Sequence, residues 1–587
     1  MAIAVAIAIV ISGGWEWQLA GRTVSVRSVG NLLLAAALLC LLRLLTPHTP
    51  LLWTRKDAPD SLVASSLRLV KRLDSTLDAI TERGARRIVL ALVAVATIIR
   101  ILNIMFHFGF ITGDDVEVQE MTLSALFGQR WSIWDLRSAF FPLTFLYPAQ
   151  WALASAGVRD VFTLVAAARL VVTGFAALNI WLVYRIGAQL YGARGEGLLA
   201  AGLFAANHLH MAYGGAELPR VVASTFALLA FAALRAPSAL PALAGGLLLG
   251  IASCLRFGEA AFIVPAVLLR AKRSLAQAAL LAIASVAAIA TILGVMDAWY
   301  WGDAFHSVRA AIDFTLVHRL SSRGFESTFY YLTNIPAWSD FLLCGLAVFS
   351  ARTAGPPALT WAVIPIVMLS ALPHKEPRYL LVAIPFLALA ASGPLRDWIK
   401  RLASASASAS ASASASASAS DSDSDSNKDE SWRPSSGTRR AERAAIGALM
   451  LMLALGGSLL FNASKYRFAR SEGTVRLAWM LRDAGASGLA AEQLWRFGGR
   501  LYLLPGTPTL IDLDPGLEAG DPRFAQAICR DGVDWVALRA GGGAGAGQGR
   551  IAPHKLVSLR ACGYVERVLL PSSVTDYVTF TRRQPLR

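Results

Sequence analysis

The chain has 587 residues, of which 55% are hydrophobic, and a mean hydropathy of +0.51. That is too apolar for one water-soluble core, and the apolar residues gather in runs near the roughly 20 residues that cross a bilayer, which predicts an integral, multi-pass membrane protein. The formal net charge of +16 would suggest nucleic acid in a soluble protein, but many Lys and Arg lie in loops between apolar runs, where they set topology. Nucleic-acid binding is therefore excluded as the reading of this charge.

The chain opens on an apolar stretch, Met1 to Ser12, of about signal-peptide length but without a basic start or a clear small-x-small cleavage site. It reads as a short uncleaved first span or as the product of a mis-chosen start. Apolar runs recur at roughly 30–46, 88–111, 161–184, 197–213, 221–235, 240–254, 259–270, 275–296, 338–351, 357–372, 379–395 and 444–462. They predict about twelve transmembrane helices. The segment 48–87 carries Arg55, Lys56, Arg68, Lys71, Arg72, Arg83, Arg86 and Arg87, which the positive-inside rule places in the cytoplasm. Alternating sides from there puts 112–143, 212–220, 297–337 and 374–378 outside, and 185–196, 270–274 and 396–443 inside. The basic segments Arg270 to Arg273, Arg396 to Arg401 and Arg439 to Arg443 all then fall inside, as the rule requires.

Carboxylates crowd the start of the first large outer loop, where Gly113-Asp114-Asp115 is followed by Glu117 and Glu120. Two readings stand together. Asp114 as N-cap with Glu117 three residues on would form a capping box, with Gly113 breaking the preceding helix; a carboxylate at a membrane exit is also a candidate general base. Trp134-Asp135-Leu136-Arg137-Ser138 follows in the same loop. Farther on, Arg256 and Glu259 stand three apart, the spacing of a helical ion pair inside a bundle, and they are also candidates to line a site. Trp299, Tyr300 and Trp301 read most simply as an interfacial aromatic belt.

The densest charge near hydrocarbon is His374-Lys375-Glu376-Pro377-Arg378, in a gap a few residues wide between two apolar runs. Lys and Arg at helix ends often only snorkel to headgroups. Here they lie on the outer face, where the topology rule disfavours them, and Pro377 stiffens the turn, so the knot reads as functional.

This string resembles the His-Lys-Glu-x-Arg-Phe/Tyr signature of the glycosyltransferase family 22 mannosyltransferases. Asp114-Asp115 with Gln119-Glu120 is similar to the family's Asp-Glu, Gln, Glu stretch, and Trp134 to Pro142 to its Trp-Glu-Tyr and Arg-Ser-x-Pro stretch. Leu255-Arg256-Phe257-Gly258-Glu259 stands where the family has an Ile-Arg-Pro-Thr-like turn, and Asp297 to Gly302 looks like its aromatic segment. The landmarks lie between residues 88 and 395. Departures are Asp-Asp for Asp-Glu, a shorter spacing to the next carboxylate, and Gly-Glu for Pro-Thr after Arg256.

The resemblance implies a GT-C-type enzyme that takes a sugar, above all mannose, from a polyprenyl- or dolichyl-phosphate donor to a lipid-linked or glycan acceptor at a site on the non-cytoplasmic side. A phosphodiester departs without a general acid, so such an enzyme needs one base and a cationic receptor for phosphate, and displacement is single and inverting. The base is Asp114 or Asp115, the resemblance favouring Asp114. His374, Lys375 and Arg378 would bind the donor phosphate, and Glu117, Arg137, Arg256, Glu259 and Glu376 are candidate lining residues. The outer loops lack clustered metal ligands beyond the acidic segment itself, so neither metal nor cofactor is expected. The rival class is a lipid-linked-sugar flippase or transporter; a third reading is a transferase of another sugar or to a protein acceptor.

The expected fold class is a polytopic α-helical membrane protein of GT-C type with a small C-terminal α/β extracytoplasmic domain. The organisation would be an N-terminal membrane extension and cytoplasmic loop over 1–87, a catalytic core over 88–395, and a disordered cytoplasmic linker over 396–443 holding the Ala-Ser and Asp-Ser repeats. A last span over 444–462 and a soluble domain outside over 463–587 complete it. In that domain the short apolar runs Leu501 to Leu504, Trp535 to Leu538 and Tyr577 to Thr581 read as strands. Its Gly541 to Gly547 tract reads as a surface loop, and Cys529 and Cys562 are the cysteines placed to pair. The bias toward Ala, Leu, Gly and Arg points to a bacterial inner membrane with a periplasmic site, or to the endoplasmic reticulum membrane in a eukaryote. Membrane lipids surround it in either case.

Overall fold

The computed structural model describes residues 15–19, 22–26, 62–106, 109–128, 133–318, 325–419, 436–465, 472–492, 499–503, 509–513, 521–539, 551, 553–570 and 577–582. The Met1 to Ser12 and 30–46 runs and the Gly541 to Gly547 tract lie outside the described residues. Helices dominate. Three are long and apolar enough to cross a membrane, Glu82–Phe106, Val161–Tyr191 and Leu275–Trp301, and shorter apolar helices include Pro219–Ala233, Ala239–Leu255 and Pro356–Ser370. Their facing sides form one core through Ala176, Ile180, Val183, Val222, Leu249, Leu281, Trp361 and Phe386.

Small residues let the helices meet backbone to backbone. A Cβ on Gly246 would stand 2.4 Å from the Leu281 carbonyl oxygen, and one on Gly250 2.5 Å from the Ala288 Cβ. The Ser285 hydroxyl donates to the Gly246 carbonyl at 3.0 Å, tying Ala239–Leu255 to Leu275–Trp301. Such close approach is the packing membrane helices use where no hydrophobic effect drives them together. The amphipathic helix Leu62–Ala79 lies against helix Ile384–Ala419, where Arg396 reaches Asp74 at 2.6 Å and Asp78 at 2.5 Å.

That last helix corrects the expected disordered linker at 396–443. It runs unbroken to Ala419, with Ile399, Leu402 and Ala403 buried. Alanine is the best helix former and the preceding turns supply the nucleus, so the Ala-Ser repeat continues a helix it would not start alone. Residues 420–435 lie outside the described residues, and helix Ser436–Lys465 follows.

Strands β1 (Trp15–Leu19) and β2 (Arg22–Val26) form an antiparallel pair. Beyond Ser436–Lys465, helix Glu472–Asp483 leads into a five-stranded sheet of order β4-β3-β5-β7-β6, with β3 at Gly488–Glu492, β4 at Thr509–Leu513, β5 at Trp535–Arg539, β6 at Tyr564–Leu570 and β7 at Tyr577–Arg582. β3 pairs in parallel with β4 and β5, and β7 antiparallel with β5 and β6. Alternation along the strands sends Leu489, Ala491, Trp535 and Ala537 to one face and Ala490, Val536 and Leu538 to the other. β5 and β7 stand where strands were expected. The Leu501 to Leu504 run instead gives a 3-10 turn, Gly499–Leu503, because its apolar side chains are buried against helices rather than paired in the sheet. A disulfide joins Cys529 to Cys562, with Cα atoms 5.3 Å apart.

Candidate active site

Helix Gly113–Phe127 begins at Thr112, whose extended backbone (φ −140°, ψ 169°) and hydroxyl, accepting from the Asp115 amide, form the N-cap. The cap is Thr112 and not Asp114, which corrects the capping-box expectation. Asp114 and Asp115 in the first turn oppose the positive end of the helix dipole. Gly128, at φ 70°, closes the helix in the left-handed region that glycine adopts without strain.

The two aspartates point apart, as successive helical residues must. Asp114 faces a cavity of about 730 Å³, together with Glu117, Val118 and Met121 from the same helix. Asp115 is fully buried and turned back on the loop, where it accepts from the Thr112 hydroxyl and, at 3.1 Å, from the Ile111 amide. Burial, with the Glu217 carboxylate nearby, raises its pKa to about 6.

Three guanidinium groups converge on Asp114. Arg137 pairs with it and with Glu117, Arg378 stands 3.0 Å from its carboxylate, and Arg256 stands 3.8 Å away. Burial alone would raise the Asp114 pKa, yet Arg378, Arg137 and Arg256 together hold it well below the usual carboxylate range. Arg378 also donates to the Thr112 hydroxyl at 2.9 Å and pairs with Glu376. Pro377 requires an extended residue before it, and Glu376 is extended (φ −136°, ψ 147°), so the chain turns sharply and Pro377–Leu380 forms a 3-10 turn. That turn carries the Arg378 side chain back to helix Gly113–Phe127.

Not every expected site residue arrives. His374 lines the cavity and lies 3.2 Å from Glu376, which lines it too. Lys375 does not line it: its ammonium donates to the carbonyls of Leu372 at 2.5 Å and Glu326 at 3.0 Å, so it braces the turn instead of facing a phosphate. Arg256 and Glu259 do not form the expected helical pair. The helix ends at Leu255 and Arg256 is extended (φ −154°, ψ 126°), which swings Arg256 toward Asp114 and leaves Glu259 to Arg220 at 3.1 Å.

Arg220 was missed in the sequence. It lines the cavity with its guanidinium 4.3 Å from the centre of the Tyr379 ring. The available signal was a lone Arg in a short outer loop, the same violation of the positive-inside rule that marks Arg378. The rest of the cavity is mostly apolar, walled by Phe141, Ile289, Leu293, Ile312, Phe314 and Leu369, with Ser138, Ser253 and Thr315 among them. A cationic and carboxylate end thus opens into a hydrocarbon-lined chamber. Among the described residues no His, Cys, Asp and Glu cluster could hold a metal ion.

A crystal structure of ArnT from Cupriavidus metallidurans in the apo state superposes with a TM-score of 0.51 at 15% identity, covering 84% of this chain and 97% of that one. The same protein bound to undecaprenyl phosphate gives 0.50 at 14% identity, with the same coverage. The mycobacterial arabinofuranosyltransferase AftD gives 0.49 at 14% identity, covering 86% of this chain and 40% of that one. No curated protein matches the sequence. The model of the Alg9-like mannosyltransferase family matches residues 96–422, more than half of the 587. With its apolar helices and GT-C-like fold, this integral membrane protein is a glycosyltransferase that belongs to the Alg9-like mannosyltransferase family.

Proposed function

We propose that the enzyme moves mannose from a polyprenyl-phosphate donor to a hydroxyl of a lipid-linked or glycan acceptor on the non-cytoplasmic face, by one inverting displacement. The carrying observation is Asp114, the one carboxylate of the cavity ringed by Arg137, Arg256 and Arg378, in a chamber whose other walls are mostly apolar. The arginines receive the donor phosphate and the apolar walls take the first isoprene units. The acceptor oxygen forms its bond to the anomeric carbon as the bond from that carbon to the phosphate oxygen breaks. The hydroxyl proton goes to Asp114 and the electron pair leaves with the phosphate.

Asp114 is a weak base while three guanidinium groups hold it. An arriving phosphate draws those donors to itself and adds its own negative charge, so the basicity of Asp114 rises when the donor binds. Base strength is in this way coupled to donor occupancy. Arg256 takes the receptor role assigned in the sequence to Lys375, since it faces the cavity with one distant carboxylate.

About twelve spans, of which residues 88–395 form the catalytic core and 444–462 the last crossing, with the sheet unit after 463 outside, make up the proposed organisation. The Cys529–Cys562 bridge supports an oxidising compartment for that unit, a periplasm in a bacterium or the lumen of the endoplasmic reticulum in a eukaryote. The test is to incubate the purified protein with polyprenyl-phosphate sugars and membrane-lipid acceptors and follow which donor is consumed. Consumption of the mannosyl donor with an inverted product linkage supports the reading; consumption of another sugar alone, or of none, removes the mannose assignment.

A further inference from the structure

From Gly113 to Leu123, helix Gly113–Phe127 has no residue exposed to solvent. Asp114, Glu117, Val118 and Met121 line the cavity. Gln119 and Thr122 belong to a buried polar network in which the Gln150 amide donates to Gln119 at 2.7 Å and Arg169 pairs with Glu217 at 2.6 Å. The remaining stripe, Val116, Glu120 and Leu123, meets the C-terminal unit: Val116 and Leu123 share a core with Val475, Leu501, Tyr502 and Trp535, and Glu120 pairs with Arg500.

This ion pair stands in apolar surroundings. The Glu120 side chain is fully buried and that of Arg500 only 17% exposed. Removing both charges from water is costly, and an interface already sealed by leucines does not need them for adhesion. What a lone buried pair supplies is register, because a slide by one residue would strand two charges in hydrocarbon. The 3-10 turn that bears Arg500 makes a second contact through Tyr502, whose ring lies 6.2 Å from that of Phe110. Phe110 precedes Asp114 and Glu120 follows it, about 9 Å on along the helix axis at 1.5 Å per residue. One turn of the C-terminal unit therefore holds helix Gly113–Phe127 on both sides of the carboxylate.

We propose that Glu120 and Arg500 are positioning residues through which the C-terminal unit sets the place of Asp114 among its arginines. The proposal rests on Asp114 as the base. It makes the sheet unit a working part of the site, although none of its described residues lines the cavity.

Full-length protein in detergent carrying Arg500→Met, Glu120→Gln, Arg500→Lys, or both Glu120→Arg and Arg500→Glu would be compared for kcat, donor KM, unfolding temperature and hydrogen exchange over residues 113–122. Arg500→Met and Glu120→Gln are expected to lower kcat on the order of 10- to 10²-fold, the scale of a displacement of about 1 Å, with donor KM nearly unchanged, exchange over 113–122 raised, and a fall in unfolding temperature too small to empty the folded state at the assay temperature. Arg500→Lys, which keeps the charge, restores most of the rate, and the charge reversal restores part of it. Unchanged kcat and exchange in Arg500→Met would overturn the proposal, as would a loss that tracks unfolding temperature and is not rescued by Arg500→Lys. Failure of the base assignment shows separately, as an active Asp114→Asn enzyme, because the exchange readout does not depend on which group takes the proton.

Discussion

Arg378 binds the first turn of helix Gly113–Phe127 at two points, its guanidinium 3.0 Å from the Asp114 carboxylate and 2.9 Å from the Thr112 hydroxyl that caps the same turn. Burial would lower the Arg378 pKa, but the Asp114 and Glu376 carboxylates raise it, so the group stays charged at every accessible pH. A fork anchored on two acceptors is not replaced by an ammonium. Arg378→Lys is expected to lose at least tenfold in kcat/KM, nearly as much as Arg378→Ala, with the KM for the donor rising in both. Donor titration and initial rates check this, and two unchanged variants would reduce Arg378 to an anchor.

The two neighbouring aspartates should separate cleanly. Asp114→Asn is expected to fold and bind donor but to lose transfer by about 10² to 10⁴-fold, the usual scale for removing a general base. Asp115→Asn, which faces the loop and not the cavity, should lower the unfolding temperature and leave kcat within a few-fold. Single-turnover rates and melting curves on both proteins decide it, and the reverse pattern would move the base to Asp115.

Lys375 and Arg256 exchange the roles that the sequence suggested. Lys375→Met strips donors from the Leu372 and Glu326 carbonyls, so it should cost stability on the order of 1 to 2 kcal/mol while donor affinity holds. Arg256→Met should weaken donor binding about tenfold or more with little change in melting. Donor binding measured directly, for example by protection from heat, distinguishes the pair.

Glu120 gives the protein a pH signature. Burial, opposed by Arg500, raises its pKa from the model-peptide value of 4.5 to about 7. A carboxylate whose folded pKa is raised contributes stability that is fully present below about 4.5 and is lost as pH rises through about 7. Unfolding temperature should therefore climb as pH falls from 8 toward 5, and Glu120→Gln should flatten that slope. Turnover should fall over the same range, since protonation discharges the pair with Arg500.

Thiol counting on denatured, unreduced protein is expected to find three reactive thiols among the five cysteines, with Cys529 and Cys562 bridged. Five would rule the bridge out. Its loss should destabilise the C-terminal unit by about 4 kcal/mol, the chain-entropy value for a loop of this length.

What the sequence revealed was set by local chemistry. Charge beside hydrocarbon exposes itself, so Asp114, Glu117, Arg137, His374, Glu376 and Arg378 were all legible, and the structure brings each to one cavity. Direction was not legible. Asp115 and Lys375 sit in the right segments and turn away, because a cap at Thr112 and two free carbonyls claim them. Helical spacing misled at Arg256 and Glu259, where the helix had already ended. The Ala-Ser tract misled differently: its composition offers no core to join, yet continuing a helix needs none. Arg220 carried a topological signal and only its partner Glu259 did not, whereas Arg500 required tertiary knowledge, since its partner Glu120 is distant in the chain.

The glycine contacts between Ala239–Leu255 and Leu275–Trp301 bear on the rival idea of a transporter. Alternating access works by rocking helices past one another, and side chains at the sliding surface change rotamer as it moves. At Gly246 and Gly250 no rotamer can change: each glycine lies against main chain and an alanine methyl of the other helix, and the Ser285 hydroxyl holds the Gly246 carbonyl. Two helices joined in that way travel as a single beam. The stretch of cavity wall they carry, Ser253, Leu255, Ile289 and Leu293, therefore shifts together or not at all.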